Sequence, residues 1–309
     1  MTGALTKSKE GERRVNINEA HKLDVSIVIP AYNEEESIAM QIKAVREVMD
    51  KADWTYEVIV VDDGSTDDTA QQVVGQEAKL ISLPQNHGYG AALKIGINEA
   101  QAEWIVIIDA DGTYPCTAIP ELLDMAHKYD MVVGARIGEN VHIPFLRKPA
   151  KWLLNMLANY LSGRHIPDLN SGLRVLKKSI VKRFMPLLPS GFSFTTSITL
   201  ALLCNDYLVM YHPVDYYRRI GNSKIRSVDA YHFLLLILRT ITYYNPIKIF
   251  LPLGGIFFLG GMSKFIYDIV TVWNLSESAI MGFLAAGIIW AIGLLADLIV
   301  RISFIERLK

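Results

Sequence analysis

The chain has 309 residues, of which 51% are hydrophobic, and its formal net charge at pH 7 is −1. This length allows one sizeable domain with an appendage, and the apolar content predicts that part of the chain lies in a membrane. The near-zero charge argues against nucleic acid as a partner, because nucleic-acid binders usually carry a basic excess. Two cysteines, Cys116 and Cys204, predict no disulfide framework and fit a reducing compartment.

After a polar stretch, residues 1–22, which predicts a flexible N-terminal extension, three short apolar runs are each followed by a helical pattern. They cover 25–30, 57–61 and 104–108. Apolar strands that alternate with helices indicate a mostly parallel sheet covered on both faces. Ligands of such open sheets bind beyond the carboxyl ends of the strands. We therefore expect an α/β fold whose strand ends converge on one crevice.

All three strand ends carry acids. Glu34 follows the first run, Asp62 and Asp63 follow the second, and Asp109 and Asp111 follow the third. Two carboxylates one residue apart suit Mg²⁺ or Mn²⁺, which need few protein ligands when substrate phosphates complete the shell. That spacing alone is common by chance, so the prediction of a metal-bound diphosphate depends on the other two strand ends.

Some of these positions also have a purely structural interpretation. The string DDGSTDDT is typical of a turn that enters a helix, which makes helix capping the competing role for Asp62 and the favoured role for Asp67. Gly88, Gly90 and Gly96 fit close packing beneath a nucleotide, and they fit a turn and helix packing equally well.

Two segments have the composition of helices that lie on a bilayer. In 144–161 basic residues adjoin Trp152 and several aliphatic residues, as an interfacial helix requires. The segment 228–244 is rich in leucine, isoleucine and tyrosine. Taken alone, the composition of either segment fits a helix that packs on the sheet equally well.

The C-terminal region predicts a transmembrane hairpin. The apolar run 279–299 would extend about 31 Å as a helix, which is one hydrocarbon core. The second candidate, 246–272, contains Lys264 and Asp268, which are placed to pair with each other unless Lys264 extends to a headgroup. The linker, 273–278, is too short for anything but a hairpin. A buried helical hairpin of a soluble protein is the alternative.

Charge around the hairpin predicts its orientation. Lys248 flanks one outer end, Arg301, Arg307 and Lys309 flank the other, and the linker carries Glu277. By the positive-inside rule both outer ends, and the N-terminal domain with them, face the cytoplasm. Glycines in the first span also predict close helix contacts, with a homo-oligomer as one outcome; they are Gly254, Gly255, Gly260 and Gly261.

Seven blocks in chain order carry a family resemblance: SIVIPAYNEEESI, VIVVDDGSTDDT, QNHGYGAALKIGI, IVIIDADGTYP, VVGARI, DLNSGLRVL and RRIGNSK. They resemble the polyprenyl-phosphate glycosyltransferases of glycosyltransferase family 2, the group that contains dolichyl-phosphate mannose synthase. The resemblance covers residues 25 to about 226, and the terminal hairpin is similar to that of two-helix bacterial members. It implies a GT-A fold, a nucleotide-sugar donor, Mg²⁺ or Mn²⁺, and a polyprenyl phosphate acceptor such as undecaprenyl or dolichyl phosphate.

The implied organisation is a catalytic domain over 23–227 with an interfacial helix at 144–161, a second interfacial helix at 228–244, and a transmembrane hairpin over 245–309. On the donor side, the resemblance implies that Asp63 contacts the base and that Asp111 ligates the metal, with Asp109 supporting it directly or through water. The implied nucleotide-binding residues are Pro30, Tyr32, Glu34, Asp62, Asp63 and Asp109.

One position departs from the family pattern. Mannose synthases commonly have a Gln where this chain has Thr113, so the third metal ligand stays open. This favours a UDP-hexose donor, such as UDP-glucose or UDP-GlcNAc, over GDP-mannose, which is the alternative. The Q-x-x-R-W string of processive synthases is absent from the sequence, which indicates a single transfer.

The acceptor phosphate is already an anion, so its oxygen can attack the anomeric carbon without a strong base if it is well positioned. In-line attack inverts that carbon and gives a β-linked product. Arginine suits the lipid phosphate because its guanidinium presents paired N–H donors to phosphate oxygens. Arg136 and Arg147 are the strongest candidates for this role. Together with Asp109 and Asp111 they form the predicted catalytic group. The segment 219–224 resembles a mobile lid. The predicted acceptor-phosphate residues are Arg136, Arg147, Lys151, Ser171, Arg174, Arg219 and Lys224.

Two other classes of protein compete. The string from Asp109 to Thr113 mimics the start of haloacid-dehalogenase-like phosphatases, in which the first Asp is a nucleophile. Those enzymes place that strand first, whereas here two acid-ended strands precede it. A membrane-anchored binder of nucleotide sugars without activity is the third interpretation, because binding and turnover use the same acids.

Overall fold

A computed structural model describes residues 23–137, 156, 158–160, 162–191, 193–218, 242, 245–271, 273, 274 and 276–307. The strands are β1 (Val25–Ala31), β2 (Tyr56–Asp62), β3 (Lys79–Ser82), β4 (Trp104–Ile107), β5 (Met131–Ala135), β6 (Arg174–Lys177) and β7 (Val209–Pro213). The helices are α1 (Ile38–Met49), α2 (Thr69–Val73), α3 (Tyr89–Glu99), α4 (Ala118–Ala126), α5 (Lys178–Phe184), α6 (Phe194–Cys204), α7 (Ile247–Thr271) and α8 (Glu277–Arg307), with a 3₁₀ turn at Met185–Leu187.

The strands form one sheet in the order β3-β2-β1-β4-β6-β5-β7. β1 pairs in parallel with β2 and β4, β2 pairs in parallel with β3, and β5 pairs in parallel with β7. β6 runs antiparallel to both of its neighbours. The predicted mostly parallel sheet is confirmed, and the carboxyl ends of β1, β2 and β4 meet at one edge because these three strands are adjacent and share one direction.

Both faces of the sheet are covered, as the continuous apolar strands require. Ile27 and Ile29 pack with α1 and α4 on one face. Val28, with the opposite orientation, packs with α3 and α6 on the other. Gly96 lets α3 lie close to the sheet, since a Cβ there would be 2.4 Å from Val28 Cγ1. Gly96 therefore has the predicted helix-packing role.

The C-terminal helices α7 and α8 form a hairpin that is apolar on the outside. Each contains a segment long and apolar enough to cross a membrane, and 11% of each apolar window is buried. The alternative of a buried hairpin in a soluble protein is therefore wrong, because leucines such as Leu259 and Leu294 are largely exposed. The protein has a membrane hairpin attached to a soluble domain.

Polar contacts close the distal end of the hairpin. Lys264 Nζ donates to Asp268 Oδ1 at 2.6 Å, which is the predicted i,i+4 pair. The other oxygen of Asp268 accepts a hydrogen bond from the backbone N–H of Ser276 at 3.2 Å. Ser276 directly precedes α8. Asp268 therefore ties the start of the second helix to the end of the first.

Two of the four glycines predicted to allow close helix contacts lie where α7 packs against α8. A Cβ at Gly254 would be 2.3 Å from the Trp290 side chain, and one at Gly261 would be 3.1 Å from the Ala279 carbonyl oxygen. Both therefore permit contact within the hairpin. Association of subunits stays a prediction.

The first turn of α7 rests on the soluble domain. Ile249 packs against a small buried cluster that includes Leu169 and Leu203. Leu169 belongs to the loop before β6, so the membrane hairpin packs against a cluster to which this loop contributes. The predicted extension 1–22 lies outside the described residues, as do most of the predicted interfacial helices 144–161 and 228–244.

Candidate active site

The loops that follow β1 and β2 are bonded to each other. Asn33 has a positive φ of 50°, and its backbone N–H donates to Ser65 Oγ at 2.9 Å. Its side-chain oxygen accepts a hydrogen bond from the backbone N–H of Thr66 at 2.8 Å. The ends of two adjacent strands thus form one rigid wall of the crevice.

The first strand end supplies three of the predicted nucleoside contacts. Pro30 is buried near the end of β1, and Tyr32 and Glu34 follow as half-buried residues. Glu34 also organises the wall, because its backbone N–H donates to Thr69 Oγ1 at 2.8 Å and its Oε2 accepts from Ser37 Oγ at 3.2 Å. The nucleoside contacts themselves stay predictions.

The acids after β2 have backbone partners. Asp63 Oδ1 and Oδ2 accept hydrogen bonds from the N–H groups of His87 and Gly88, each at 2.8 Å. Asp62 Oδ1 accepts from the N–H of Ser65 at 3.1 Å. Asp63 therefore fixes the loop before α3, a role that sequence analysis did not predict, and its base contact stays a prediction.

Asp67 stabilises the start of α2 from one residue before the N-cap, which is Asp68, so the helix-capping role predicted for Asp67 needs correction. Its Oδ1 accepts from the N–H of Thr69, the first residue of α2, at 3.0 Å. Gly88 and Gly90 pack against a backbone segment rather than a sheet strand, since a Cβ would lie 2.6 Å from the Ser190 carbonyl oxygen and 2.4 Å from that of Pro189, respectively. Both glycines therefore let the start of α3 approach this segment.

Asp109 is held between a phenol and a glycine. Tyr89 Oη donates to Asp109 Oδ1 at 2.9 Å. Burial, and next the charge of Asp109, raise the pKa of Tyr89 well above its ordinary value, so the phenol keeps its proton. On the other side a Cβ at Gly172 would lie 2.0 Å from Asp109 Oδ2. Only glycine leaves room for this carboxylate.

Asp111 is 6% exposed and is oriented by its neighbour Thr113. Thr113 Oγ1 donates to Asp111 Oδ1 at 2.6 Å, and the Thr113 N–H donates to the same oxygen at 3.2 Å. Thr113 thus uses its hydroxyl to position the carboxylate.

The donor set at this edge fits a hard divalent cation. Within the described parts of the chain no group of three His, Cys, Asp or Glu side chains is placed to hold a metal. The two acids Asp109 and Asp111 offer carboxylate oxygens, which suit an ion that takes the rest of its shell from phosphate oxygens and water. A metal that binds together with a diphosphate agrees with that arrangement.

Arg136 lies at the end of β5 and is paired with Asp168. Its Nε and Nη2 donate to the two Asp168 oxygens at 2.7 and 2.8 Å. Burial lowers the pKa of Arg136, but Tyr114 and Asp168 more than offset this, so the pKa lies well above the ordinary arginine value. Asp168 is a site residue that sequence analysis missed, although it begins the DLNSGLRVL block. The Nη1 group has no hydrogen-bond partner among the residues described.

Two predicted acceptor contacts need correction. Arg174 is 0% exposed, and its guanidinium donates to the carbonyl oxygens of Ser171 and Leu169 at 2.7 and 2.9 Å and to Thr199 Oγ1 at 2.5 Å. Ser171 is also 0% exposed, and its hydroxyl donates to the Gly134 carbonyl oxygen at 2.5 Å. Neither side chain can reach a lipid phosphate, because both are buried and form hydrogen bonds that stabilise the loop before β6.

This correction leads to a stability prediction. Replacing Arg174 by Met is expected to lower the free energy of unfolding by about 2–4 kcal/mol, because buried carbonyl oxygens and a hydroxyl lose their donor. Thermal unfolding in detergent, followed by circular dichroism, measures the change. Arg164→Met is the control, since the Arg164 side chain is 61% exposed. A wild-type midpoint for the Arg174 variant would contradict the assigned role.

The other predicted basic residues, Arg147, Lys151, Arg219 and Lys224, lie outside the described residues, as does the predicted lid. Their roles stay predictions. The described acceptor side therefore consists of Arg136 with Asp168, and Tyr114 connects it to the donor side. Tyr114 Oη accepts from the N–H of Gly172 at 2.7 Å, and the charges of Arg136 and Asp109 both act on its pKa, which burial chiefly raises.

An acid-lined sheet edge that faces a paired arginine, on a domain joined to a membrane hairpin, is the arrangement of a membrane-attached nucleotide-sugar glycosyltransferase. The glycosyl transferase family 2 model matches residues 26–184, and the GtrB C-terminal hairpin model matches residues 245–302. The chain therefore belongs to glycosyltransferase family 2. The phosphatase interpretation is wrong, because the strand that carries Asp109 is the fourth in the chain and the fold is that of GT-A enzymes.

Several relatives are polyprenyl-phosphate sugar transferases. Undecaprenyl-phosphate 4-deoxy-4-formamido-L-arabinose transferase of Yersinia enterocolitica is 28% identical over 265 residues, which cover 80% of this chain and 76% of that enzyme. The enzyme of the same name from Salmonella choleraesuis is 28% identical over 264 residues, with 80% and 76% covered.

A solved structure shares the fold. Glucosyl-3-phosphoglycerate synthase from Mycobacterium tuberculosis, in complex with Mn²⁺, UDP-glucose and phosphoglyceric acid, superposes with a TM-score of 0.55 at 21% identity, with 71% of this chain and 80% of that chain covered. At this identity the likeness supports the GT-A fold alone.

Proposed function

We propose that this protein transfers a single sugar from a nucleotide sugar to a polyprenyl phosphate and inverts the anomeric carbon. The observation that carries the proposal is that Asp109, next to Asp111 in the chain, and the Arg136–Asp168 pair all lie near Tyr114, at the sheet edge where the crevice is predicted, in a domain that adjoins a membrane hairpin. A donor diphosphate and a lipid phosphate both need such a crevice, one beside the acids and the other beside the arginine.

On the donor side, Asp111 and Asp109 would hold a divalent cation, Mg²⁺ or Mn²⁺, which would bind the diphosphate and offset the charge that develops on it. The wall formed by the β1 and β2 loops would hold the nucleoside. A UDP-hexose is the proposed donor, with GDP-mannose as the alternative. The preference for uridine depends on Thr113, which stands where mannose synthases commonly have a Gln, and the named relatives transfer an arabinose derivative.

On the acceptor side, Arg136 would offer its Nη1 group to a phosphate oxygen. Asp168 already fixes the plane of the guanidinium, so little rotamer freedom is lost when phosphate binds. The phosphate oxygen is an anion near neutral pH and attacks the anomeric carbon from the face opposite the diphosphate. Arg147, Lys151, Arg219 and Lys224 are further candidates from the sequence. The product would be a β-linked polyprenyl-phosphate sugar.

The hairpin supports a lipid acceptor, because a polyprenyl chain stays in the bilayer while its phosphate reaches the surface. Ile249 of α7 packs against the cluster that includes Leu169, and Asp168 precedes Leu169 directly. We therefore propose that the hairpin holds the acceptor side of the crevice at the membrane. The flanking basic residues support a cytoplasmic catalytic domain.

The proposal is tested with purified protein, labelled UDP- and GDP-sugars, and undecaprenyl or dolichyl phosphate in detergent with Mn²⁺. The expected result is label that enters the organic phase only when both a lipid phosphate and one class of sugar nucleotide are present. Nuclear magnetic resonance of the product should show a β-anomer. Label on GDP-mannose alone would favour the alternative donor.

Other outcomes would contradict the proposal. An α-linked product would exclude single in-line inversion. No transfer with any lipid phosphate, together with normal nucleotide binding, would favour the binder without activity.

A further inference from the structure

Tyr89 belongs to a short segment that links the acids at the ends of two different strands. It is the first residue of α3 and directly follows Gly88. The N–H groups of His87 and Gly88 donate to the two carboxylate oxygens of Asp63, each at 2.8 Å. The Tyr89 hydroxyl donates to Asp109 Oδ1 at 2.9 Å. Three consecutive residues therefore connect the acid after β2 to the acid after β4.

The backbone that carries Tyr89 is also held by the segment that precedes α6. The N–H of Ala91 donates to the Ser190 carbonyl oxygen at 2.9 Å, and Lys94 Nζ donates to the Leu188 carbonyl oxygen. Both donors lie in the first two turns of α3. These turns cannot rotate or shift without breaking bonds to that segment. The place from which the Tyr89 side chain extends is therefore fixed by tertiary contacts.

The carboxylate of Asp109 meets a different element at each oxygen. Its Oδ1 accepts the hydrogen bond from Tyr89, and its Oδ2 lies where a Cβ at Gly172 would approach to 2.0 Å. An ionised carboxylate has about four lone-pair sites, so an oxygen that accepts one hydrogen bond can still bind a cation. The two contacts thus orient Asp109 and leave it able to serve a metal ion.

We infer, on the basis of the proposed function, that Tyr89 is a positioning residue for the metal site. Its hydroxyl holds the Asp109 carboxylate in the orientation that supports the divalent cation. Removing the hydrogen-bond partner of a metal ligand lowers metal affinity, because the ligand then also populates orientations that do not face the ion. The same segment holds Asp63, so the nucleoside side and the metal side of the crevice share one support.

Tyr89→Phe tests the inference, because it keeps the ring and removes only the hydroxyl. The affinity for Mn²⁺ is measured by electron paramagnetic resonance with UDP present, and we expect it to weaken about 10-fold. The affinity for UDP without Mn²⁺, measured by calorimetry, should stay within about twofold, since the backbone bonds to Asp63 remain. In the transfer assay the Mn²⁺ concentration for half-maximal rate should rise about 10-fold, with kcat within about threefold of wild type.

A double variant tests whether Tyr89 acts through Asp109. Asp109→Ala should weaken Mn²⁺ binding without abolishing it, because Asp111 and the UDP phosphates stay available as ligands. Adding Tyr89→Phe to Asp109→Ala should cause no further loss, because the bond that it removes is already absent.

Tyr56→Phe is the matched control, because it removes another hydrogen bond from a phenol to a carboxylate. The Tyr56 hydroxyl donates to Asp50 Oδ1. Tyr56 is the first residue of β2, at the end of the strand opposite to Asp62. This variant should bind Mn²⁺ and UDP as the wild type does.

Three results would overturn the inference: unchanged Mn²⁺ affinity in Tyr89→Phe, a further loss in the double variant, or a parallel fall in Mn²⁺ affinity, UDP affinity and thermal midpoint, which would indicate damage to the fold. A wild-type protein that binds no Mn²⁺ in the presence of UDP would overturn the proposed function as well. The wild-type measurement therefore distinguishes the two failures before any variant is made.

Discussion

Asp111→Asn is expected to lower the rate of sugar transfer at least about 100-fold, because a neutral amide is a poor ligand for a hard cation, and without that cation the charge that develops on the leaving diphosphate is not offset. Asparagine has nearly the same shape, and its Oδ1 can still accept the bonds that Thr113 donates. The fold should therefore persist. Measuring Mn²⁺ binding in the presence of UDP, alongside the transfer rate, separates loss of the ion from loss of structure.

The matched control for Asp111→Asn is Asp124→Asn, which changes an exposed acid on α4. That variant should transfer sugar at the wild-type rate. Near-normal transfer or near-normal Mn²⁺ affinity in Asp111→Asn would remove this residue from the metal site.

Gly172→Ala is expected to reduce transfer by about 100-fold, the order of loss that follows when a catalytic group is displaced by about 1 Å. A Cβ at this position would lie 2.0 Å from Asp109 Oδ2, so the carboxylate must rotate or the loop must move. Either change breaks the hydrogen bond between Tyr89 and Asp109. The transfer rate and the thermal midpoint of the variant are the measurements.

Gly191→Ala is the control for this substitution, because no atom among the described residues lies within 4 Å of a Cβ at Gly191. It should have wild-type activity and a wild-type midpoint. If Gly172→Ala is fully active, the close packing of Gly172 on Asp109 does not constrain the site. If the thermal midpoint of Gly172→Ala falls below the assay temperature, the variant is unfolded in the assay, and its loss of activity is then an effect on folding.

Several features followed from the sequence because they depend on local order along the chain. Runs of β-branched residues predict strands, and parallel strands place their carboxyl ends at one edge, so Asp62, Asp63, Asp109 and Asp111 could be grouped without coordinates. The length of the apolar runs predicts the hairpin in the same way. The spacing of four between Lys264 and Asp268 predicts their ion pair, since these positions adjoin on a helix.

The basic residues were harder to assign, because sequence blocks show that an arginine is near a site but give neither its direction nor its partners. Arg136 and Arg174 both lie within such blocks, VVGARI and DLNSGLRVL. The fold pairs the first with Asp168 at the surface of the crevice and encloses the second among backbone carbonyl oxygens. The antiparallel strand β6 causes this difference, since it inserts between β4 and β5 and turns its first residue into the core.

The sequence by itself thus determined the class of fold, the acidic edge and the membrane hairpin, because each arises from periodicity or from the order of residues along one strand or helix. Only the tertiary structure decided which side chains meet across the crevice. Asp168, Tyr89 and Tyr114 come from separate segments of the chain, and no local pattern encodes their contacts. Their hydrogen bonds depend on how β4, β5 and β6 pack side by side, which fixes distances between residues far apart in sequence.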